Sequence, residues 1–466
     1  MKRRWMLLLI CGARLAGQSQ LTAQEAEALA LRAVGAVDNP AAAAVVVDRA
    51  GRVLAAYRRA QAADLDLETA LALARTGAFF SHDQAPLSSR TIQTLSQPNF
   101  PAGVPNQPAA ALFGIEHTNR GCGFNAEFDA GKELPPARNF AGDGPSLGVV
   151  TRPGGLPLYK GGSMVGGIGV GGMAPEHAEF AAVSAAAGAG FFVPLPLPFP
   201  GAVFIDGIRL PFVEQTSQPA GTRPAAALDG GFVGGSRDGQ AAPEGWLISP
   251  RGSGLLGAEQ VRAIIERAVA RAERTRGVIR LPLGSRSRMV LAVSDVEGNV
   301  LGLFRMPDAT VFSADVAVAK ARNVVYFSST ARQVQDLPGL PVGVAVTNRS
   351  IGFGAQPFFP SGIQNSEPGP FRALFEFDRD HPCTQGWQPA NPNQNGIVFF
   401  PGSAPLYRNG ALVGGLGVSG DGVEQDDYVT AAGAEGFEPP PGMRADEYFI
   451  RGVRIPYWKF PRNPER

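Results

Sequence analysis

Apolar and polar positions along the chain fall into blocks with two periods, and the order of those blocks predicts the architecture. Residues 21–34 carry alanine and leucine at helical spacing, and Thr22 with Glu25 forms the Ser/Thr-x-x-Glu pattern that caps a helix start. Two apolar runs then flank Asp48-Arg49-Ala50-Gly51, which predicts a β-hairpin. A helix is predicted from about Leu65 to Phe80, followed by a long stretch rich in Pro, Asn, Gly and Phe without either period. Alternating glycine and branched residues around Val165 predict a second hairpin, and residues 175–188 a further helix. The second half repeats the order: a helix near Ala258, a hairpin turning at Asp295-Val296-Glu297-Gly298, and a helix from Ser313 to Phe327. A hairpin around Val413 and a helix over 423–434 complete it. The order α-β-β-α-loop-β-β-α predicts an α+β unit, an antiparallel sheet with helices packed on it.

The halves are copies. PLYKGGSMVGGIGVGG (157–172) returns as PLYRNGALVGGLGVSG (405–420) with 10 of 16 positions identical, at an offset of 248. VDRAGRVLAAYR (47–58) aligns with SDVEGNVLGLFR (294–305), and ARTGAFFS (74–81) with ARNVVYFS (321–328), at 247. Thr-Asn-Arg-x-x-Gly-Phe occurs at 118–124 and 347–353, at an offset of only 229, which puts extra residues before the motif in the first copy. FIDGIRLPF (204–212) matches FIRGVRIPY (449–457). The expected organisation is a leader over 1–20, repeats over 21–213 and 255–460, and a Gly/Pro/Ala-rich linker over 214–254.

Composition narrows the function without naming it. Of 466 residues 44% are hydrophobic and 18% charged, a packable chain. The 59 glycines and 40 prolines exceed ordinary usage and call for many turns and long ordered loops. A net charge of +1 argues against nucleic acid as the partner. No apolar run reaches the roughly 18 residues of a spanning helix. Lys2-Arg3-Arg4 before an apolar stretch reads as an export signal, implying a periplasmic or secreted protein. Removal of Cys11 with that signal leaves Cys122 and Cys383, an even pair compatible with one disulfide.

The D-x-x-G hairpins at 48–51 and 295–298, the run VAVAKARNVVYFSS (316–329) and the run APLYRNGALVGGLGVSGDGVEQDD (404–427) resemble the GlcG/HbpS-like family. The resemblance implies two tandem profilin-like α/β/α sandwich units with long inserted loops. It also implies a small-molecule ligand, with haem as the candidate cofactor, and self-association into dimers or larger rings. Two fused copies imply a pseudo-dimer within one chain. The family pattern is intact at Gly420, Gln425 and Asp426 but has become Gly172, His177 and Ala178 in the first copy, and the helix lysine Lys320 stands where the first copy has Leu73.

Candidate chemistry follows from residue types. Arg120 and Arg349 offer bidentate donors to carboxylates such as haem propionates, and Phe124 and Phe353 offer apolar walls. Thr118, Asn119, Thr347 and Asn348 complete the duplicated motif, although such residues also cap loop backbone. Lys320 and Gln425 join the cofactor-binding set through the family pattern, while a helical lysine ordinarily extends its amine to solvent. Glu424, Asp426 and Asp427 at a helix start also fit a simple dipole preference. Among the histidines, His117 beside the motif and His177 at a helix start are the metal-ligand candidates. None is duplicated, and no CxxCH is present, so covalent haem attachment is excluded. The duplicated residues assemble no catalytic triad. Two rival readings stay open: an enzyme on a small organic acid gripped by Arg120 or Arg349, and an assembly module whose long loops are interfaces.

Overall fold

The computed structural model describes residues 20–123, 127–142, 144–191, 201–205, 208–215 and 217–465; the leader and Phe124 lie outside them. In the first repeat, helix α1 (Ala23–Gly35) starts at the capping box of Thr22 and Glu25. Strands β1 (Ala43–Asp48) and β2 (Val53–Arg58) form the hairpin, and α2 (Asp64–Phe80) follows. After the short α3 (Ser89–Leu95) come β3 (Gly155–Lys160), β4 (Ser163–Gly171) and α4 (Pro175–Gly188). A small hairpin of β5 (Ala202–Ile205) and β6 (Ile208–Pro211) ends the unit.

The stretch expected as a bare connector contributes to both sheets. Its β7 (Gly231–Phe232) pairs with β2, and its β8 (Gly245–Ile248) pairs with an edge strand of the second repeat. That repeat runs α5 (Ala258–Ala272), β9 (Met289–Ser294), β10 (Val300–Arg305) and α6 (Ser313–Ser328). Helices α7 (Asn348–Gly354) and α8 (Arg372–Asp380) sit in its long insertion. Strands β11 (Ser403–Arg408) and β12 (Ala411–Gly420), α9 (Val423–Gly433) and the pair β13 (Phe449–Ile450) and β14 (Val453–Arg454) complete it. The sheets have matching antiparallel orders, β3-β4-β1-β2-β7 and β11-β12-β9-β10-β8. One helix, α2 or α6, covers one face, and the pairs α1/α4 or α5/α9 cover the other. This is the α+β, α/β/α arrangement expected for each copy.

The glycine hairpins serve close packing. A Cβ on Gly167 or Gly169 would collide with the carbonyls of Ala74 or Ala70 on α2, and one on Gly415 or Gly417 with Ala321 or Ala317 on α6. The duplicated helix arginines are buried for a related reason. Arg75 Nε donates to the Gly51 carbonyl at 3.2 Å, and Arg322 Nε to the Gly298 carbonyl at 2.9 Å, so each pins its own D-x-x-G turn.

The two repeats dock through non-equivalent surfaces. Phe80, at the end of α2, stacks on Phe312 just before α6, with ring centroids 4.1 Å apart. Their counterparts do not repeat this contact: Phe327 is buried in its own repeat's core, and Leu65 is 64% exposed. Arg49 from the first hairpin and the fully buried Arg280 both bind Asp308, at 2.6 and 2.8 Å, and Arg280 also pairs with Asp421. His82 is buried in the same joint, with Nε2 3.0 Å from the Ile279 carbonyl. Burial and the Arg280 charge hold its pKa well below the ordinary value, so the ring is neutral and donates to that carbonyl.

Burial alone would raise the pKa of Asp308, but Arg49 and Arg280 outweigh it and the carboxyl sits at about 2. A depressed carboxyl pKa stabilises the fold above the unfolded value near 4, and that contribution fades as pH falls towards 2. Denaturant unfolding measured across pH should therefore show about 2 kcal/mol of stability lost through this window. The loss should be absent in Asp308→Asn; an unchanged pH profile in that variant would remove Asp308 as its source.

Candidate functional site

The joint between the repeats encloses a cavity of about 570 Å³. The first repeat supplies Phe80, Leu87, Ile92, Leu95 and Leu112; the second supplies Phe312, Phe400, the end of β12 and the first turn of α9. Arg276, Lys459 and Arg462 bring positive charge to it, and Lys459 pairs with Glu424. A second cavity of about 500 Å³ is lined by Arg349, Phe353, Phe399 and Phe113. The two share Ala111, Phe400, Val423, Glu424 and Lys459, so they flank the start of α9 as parts of one groove.

The start of α9 is anchored by two ion pairs on adjacent residues. Lys320, in the middle of α6, is wholly buried, contrary to the ordinary expectation of a solvated helical lysine. Its Nζ donates to the Val418 carbonyl at 2.7 Å and to Asp426 Oδ2 at 3.0 Å, and lies 4.9 Å from the centre of the Phe400 ring. Burial lowers the Lys320 pKa and pushes Asp426 up to about 7, each opposed by the other's charge. Asp426 stands in the cavity wall, and its Oδ1 has no hydrogen-bond partner. Asp427 takes Arg349 Nε at 2.5 Å and the Gly402 N–H at 3.0 Å. Asp426 and Asp427 thus do more than complement a helix dipole. Gln425, just before them, is buried and stands in the same wall as Asp426.

The first repeat keeps the outer pair and lacks the inner one. Arg90 binds Glu179, the counterpart of Asp427, through two bonds of 2.7 and 3.0 Å. Leu73 and Ala178 occupy the places of Lys320 and Asp426. Gly154 packs beside both, as Gly402 packs beside the ion pair.

Arg90 also corrects the repeat alignment. Thr347 caps α7 with Ser350 and donates to the Tyr457 carbonyl at 2.6 Å; Ser88 caps α3 with Thr91 and donates to the Phe212 carbonyl at 2.5 Å. Since Phe212 matches Tyr457, the structural counterpart of Thr347-Asn348-Arg349 is Ser88-Ser89-Arg90. The identical Thr118-Asn119-Arg120 is not the counterpart, and the longer connection before the motif belongs to the second repeat. Asn348, the first residue of α7, is buried, and its Nδ2 donates to the Val398 carbonyl at 2.6 Å.

Thr118, Asn119 and Arg120 lie in a clasp between the repeats and are not among the residues lining the groove, although Asn119 Nδ2 donates to the carbonyl of the lining residue Phe312 at 3.3 Å. The Asn119 N–H binds Asp315 Oδ2 at 2.8 Å, and Arg120 Nη1 donates to the Asp378 carbonyl at 3.0 Å. His117 Nδ1 is 2.7 Å from Asp378 Oδ2, its ring packed against Phe375 and Phe399. Cys122 and Cys383 close the clasp as a disulfide, with Cα atoms 5.4 Å apart. His177 is half-buried on the first turn of α4, remote in sequence from these groups. Among the described residues no three His, Cys, Asp or Glu side chains gather as a metal site, so neither histidine has the company a metal ion needs. Among them, too, no helix is long and apolar enough to cross a membrane.

Two α/β/α units of this order, joined head to tail around a groove, define the class of protein. The family model described as "Haem degrading protein HbpS-like" matches residues 20–187 and 256–435, and the chain belongs to that family, with two tandem copies. A curated relative, the corrinoid adenosyltransferase PduO of Salmonella typhimurium, is 26% identical over 138 residues, which are 30% of this chain and 29% of that protein. The chain therefore matches under a third of that relative's length. A solved structure described as a PduOC:Heme complex covers 39% of this chain and 93% of its own, at 21% identity and a TM-score of 0.25. A double mutant of Streptomyces reticuli HbpS covers 40% and 97%, at 20% identity and a TM-score of 0.21. The Klebsiella pneumoniae protein ORFY covers 38% and 88%, at 19% identity and a TM-score of 0.25.

Proposed function

We propose that the chain is an exported binding protein for a flat tetrapyrrole dicarboxylate, the haem class of ligand, held in the groove between the repeats. The observation that carries this reading is the cavity itself. Its volume of about 570 Å³ falls within the range of small-molecule sites, its walls are apolar, and three cationic side chains stand at it. Leu87, Ile92 and Leu95 on one side and Phe312 and Phe400 on the other suit the faces of a macrocycle. Arg276, Lys459 and Arg462 suit its carboxylates. The family description names haem chemistry, and the disulfide agrees with an oxidising compartment, periplasmic or extracellular.

Haem fits this site in part. The organic ring and propionates have partners, but the described residues lining the cavity include no His, Cys, Met or Tyr, the side chains that ordinarily ligate haem iron. Recognition here is of the ring and its acids, and no step through iron follows from the residues present.

Titration of the full chain with haemin, followed by absorbance and protein fluorescence, should give saturable binding. Leu112→Asp, on the groove wall, should weaken it at least tenfold, whereas Arg120→Ala in the clasp should change it less than threefold. Absent saturation, or indifference to Leu112→Asp, would defeat this reading.

A further inference from the structure

We infer that the second cavity, beside Arg349, is a binding site in its own right for an apolar monocarboxylic acid, whose carboxylate accepts from Arg349 Nη1. The inference goes beyond the tetrapyrrole reading and stands without it.

The first repeat displays the same arginine with every nitrogen engaged. Arg90 Nε and Nη2 are held by Glu179, and Nη1 donates to Glu214 Oε2 at 2.8 Å. The Glu214 N–H in turn donates to Glu179 Oε2 at 3.2 Å. In the second repeat Lys459 stands where Glu214 does. Tyr457 matches Phe212 two residues earlier, and the Lys459 N–H donates to Asp427 Oδ2 at 2.9 Å. The backbone keeps its place while the side chain reverses its charge. A carboxylate that completes the arginine in one copy has become an ammonium in the other.

Arg349 is left with one open nitrogen. Its Nε is taken by Asp427, and Nη2 is sealed inside the protein without a partner. Nη1 has no hydrogen bond among the described residues and is not sealed in this way. The side chain is 15% exposed and lines the second cavity. Glu424, the carboxylate in that wall, pairs with Lys459 and not with Arg349. An open guanidinium N–H at a cavity takes a carboxylate oxygen through a charge-assisted bond, the bond that Glu214 supplies to Arg90.

The rest of the wall sets the body of the ligand. Phe113, Phe353, Phe399 and Phe400 line the cavity with Arg349, and its volume of about 500 Å³ is that of a small-molecule site. One open donor nitrogen among four phenyl rings suits one acid group on an apolar body.

The test titrates the full chain with 1-naphthylacetate and with its uncharged counterpart 1-naphthylacetamide, by calorimetry. The acid should saturate at one per chain and bind at least about tenfold more tightly than the amide, the worth of a hydrogen bond between charged groups. Lys459→Glu restores the first repeat's residue at a side chain that is 67% exposed, so the fold should be kept, as a thermal melt will report. This variant should lose at least tenfold for the acid and stay within threefold for the amide, because its own carboxylate competes for Nη1. Lys459→Gln, which removes the ammonium without supplying a carboxylate, should lose less than Lys459→Glu. Absent saturation by the acid, equal affinity for the amide, or indifference of the acid to Lys459→Glu would overturn the inference, whether or not haemin binds. Failure of haemin alone, with the acid behaving as expected, would defeat the tetrapyrrole reading and support this site.

Discussion

Asp426→Ala is expected to destabilise the chain by about 3–5 kcal/mol, and Lys320→Leu/Asp426→Ala by far less. The single substitution leaves the Lys320 ammonium without its counter-ion in a position with no exposure to water. Burial already lowers the pKa of this amine, and losing Asp426 removes the nearest charge that opposes the shift. The double substitution removes both charges together and installs the pair that the first repeat holds in the same packing. Buried ion pairs replaced whole by apolar groups are often neutral in stability. Urea unfolding of the wild type, both single variants and the double variant forms a cycle that measures the coupling. Additive losses would show that the two side chains do not act as a pair.

Removing the Cys122–Cys383 bridge is expected to cost up to about 5 kcal/mol, the range for a cross-link closing a very long loop. The cysteines are 261 residues apart, so the bond ties one repeat to the other rather than one loop to itself. The clasp around it joins residues 261 and 258 apart in sequence, His117 with Asp378 and Arg120 with the Asp378 carbonyl, and these should loosen with it. Guanidinium unfolding of the wild type with and without reductant should reproduce the loss, and Cys122→Ser/Cys383→Ser should be insensitive to reductant. Equal midpoints for all of these would show that the joint holds without the bridge.

Much of each repeat was legible because local signals agreed with one another. The capping box at Thr22, the D-x-x-G turns and the glycine alternation each fix a local geometry, and the recurrence of the turns and the glycine blocks at offsets of 247 and 248 set the order. The Thr-Asn-Arg alignment failed because identity over a short motif outweighed a physical signal. The Ser88-x-x-Thr91 cap, with its anchor at Phe212, holds the position of Thr347-x-x-Ser350 with hydroxyls of a different residue type. Of the candidate residues, Lys320, Gln425, Arg349 and Phe353 converge on the groove or its supports, and the family pattern had pointed to the first two. Asp426 was visible as an acid near a helix start, but its burial depends on Lys320, 106 residues away. The groove itself was beyond reach, since half its wall comes from whichever face of one repeat docks on the other. No periodicity along the chain encodes that choice.

The non-equivalent docking also determines arithmetic. Two units facing each other across a twofold axis would form the same contact twice and enclose two identical grooves. Among the described residues the two units meet through one joint, so this groove occurs once there, and the expected stoichiometry is one ligand per polypeptide. Among the described residues, His177 and Ala178 at the start of α4 do not line this groove. The charge pair that the second repeat keeps beside the groove is replaced there by Leu73 and Ala178.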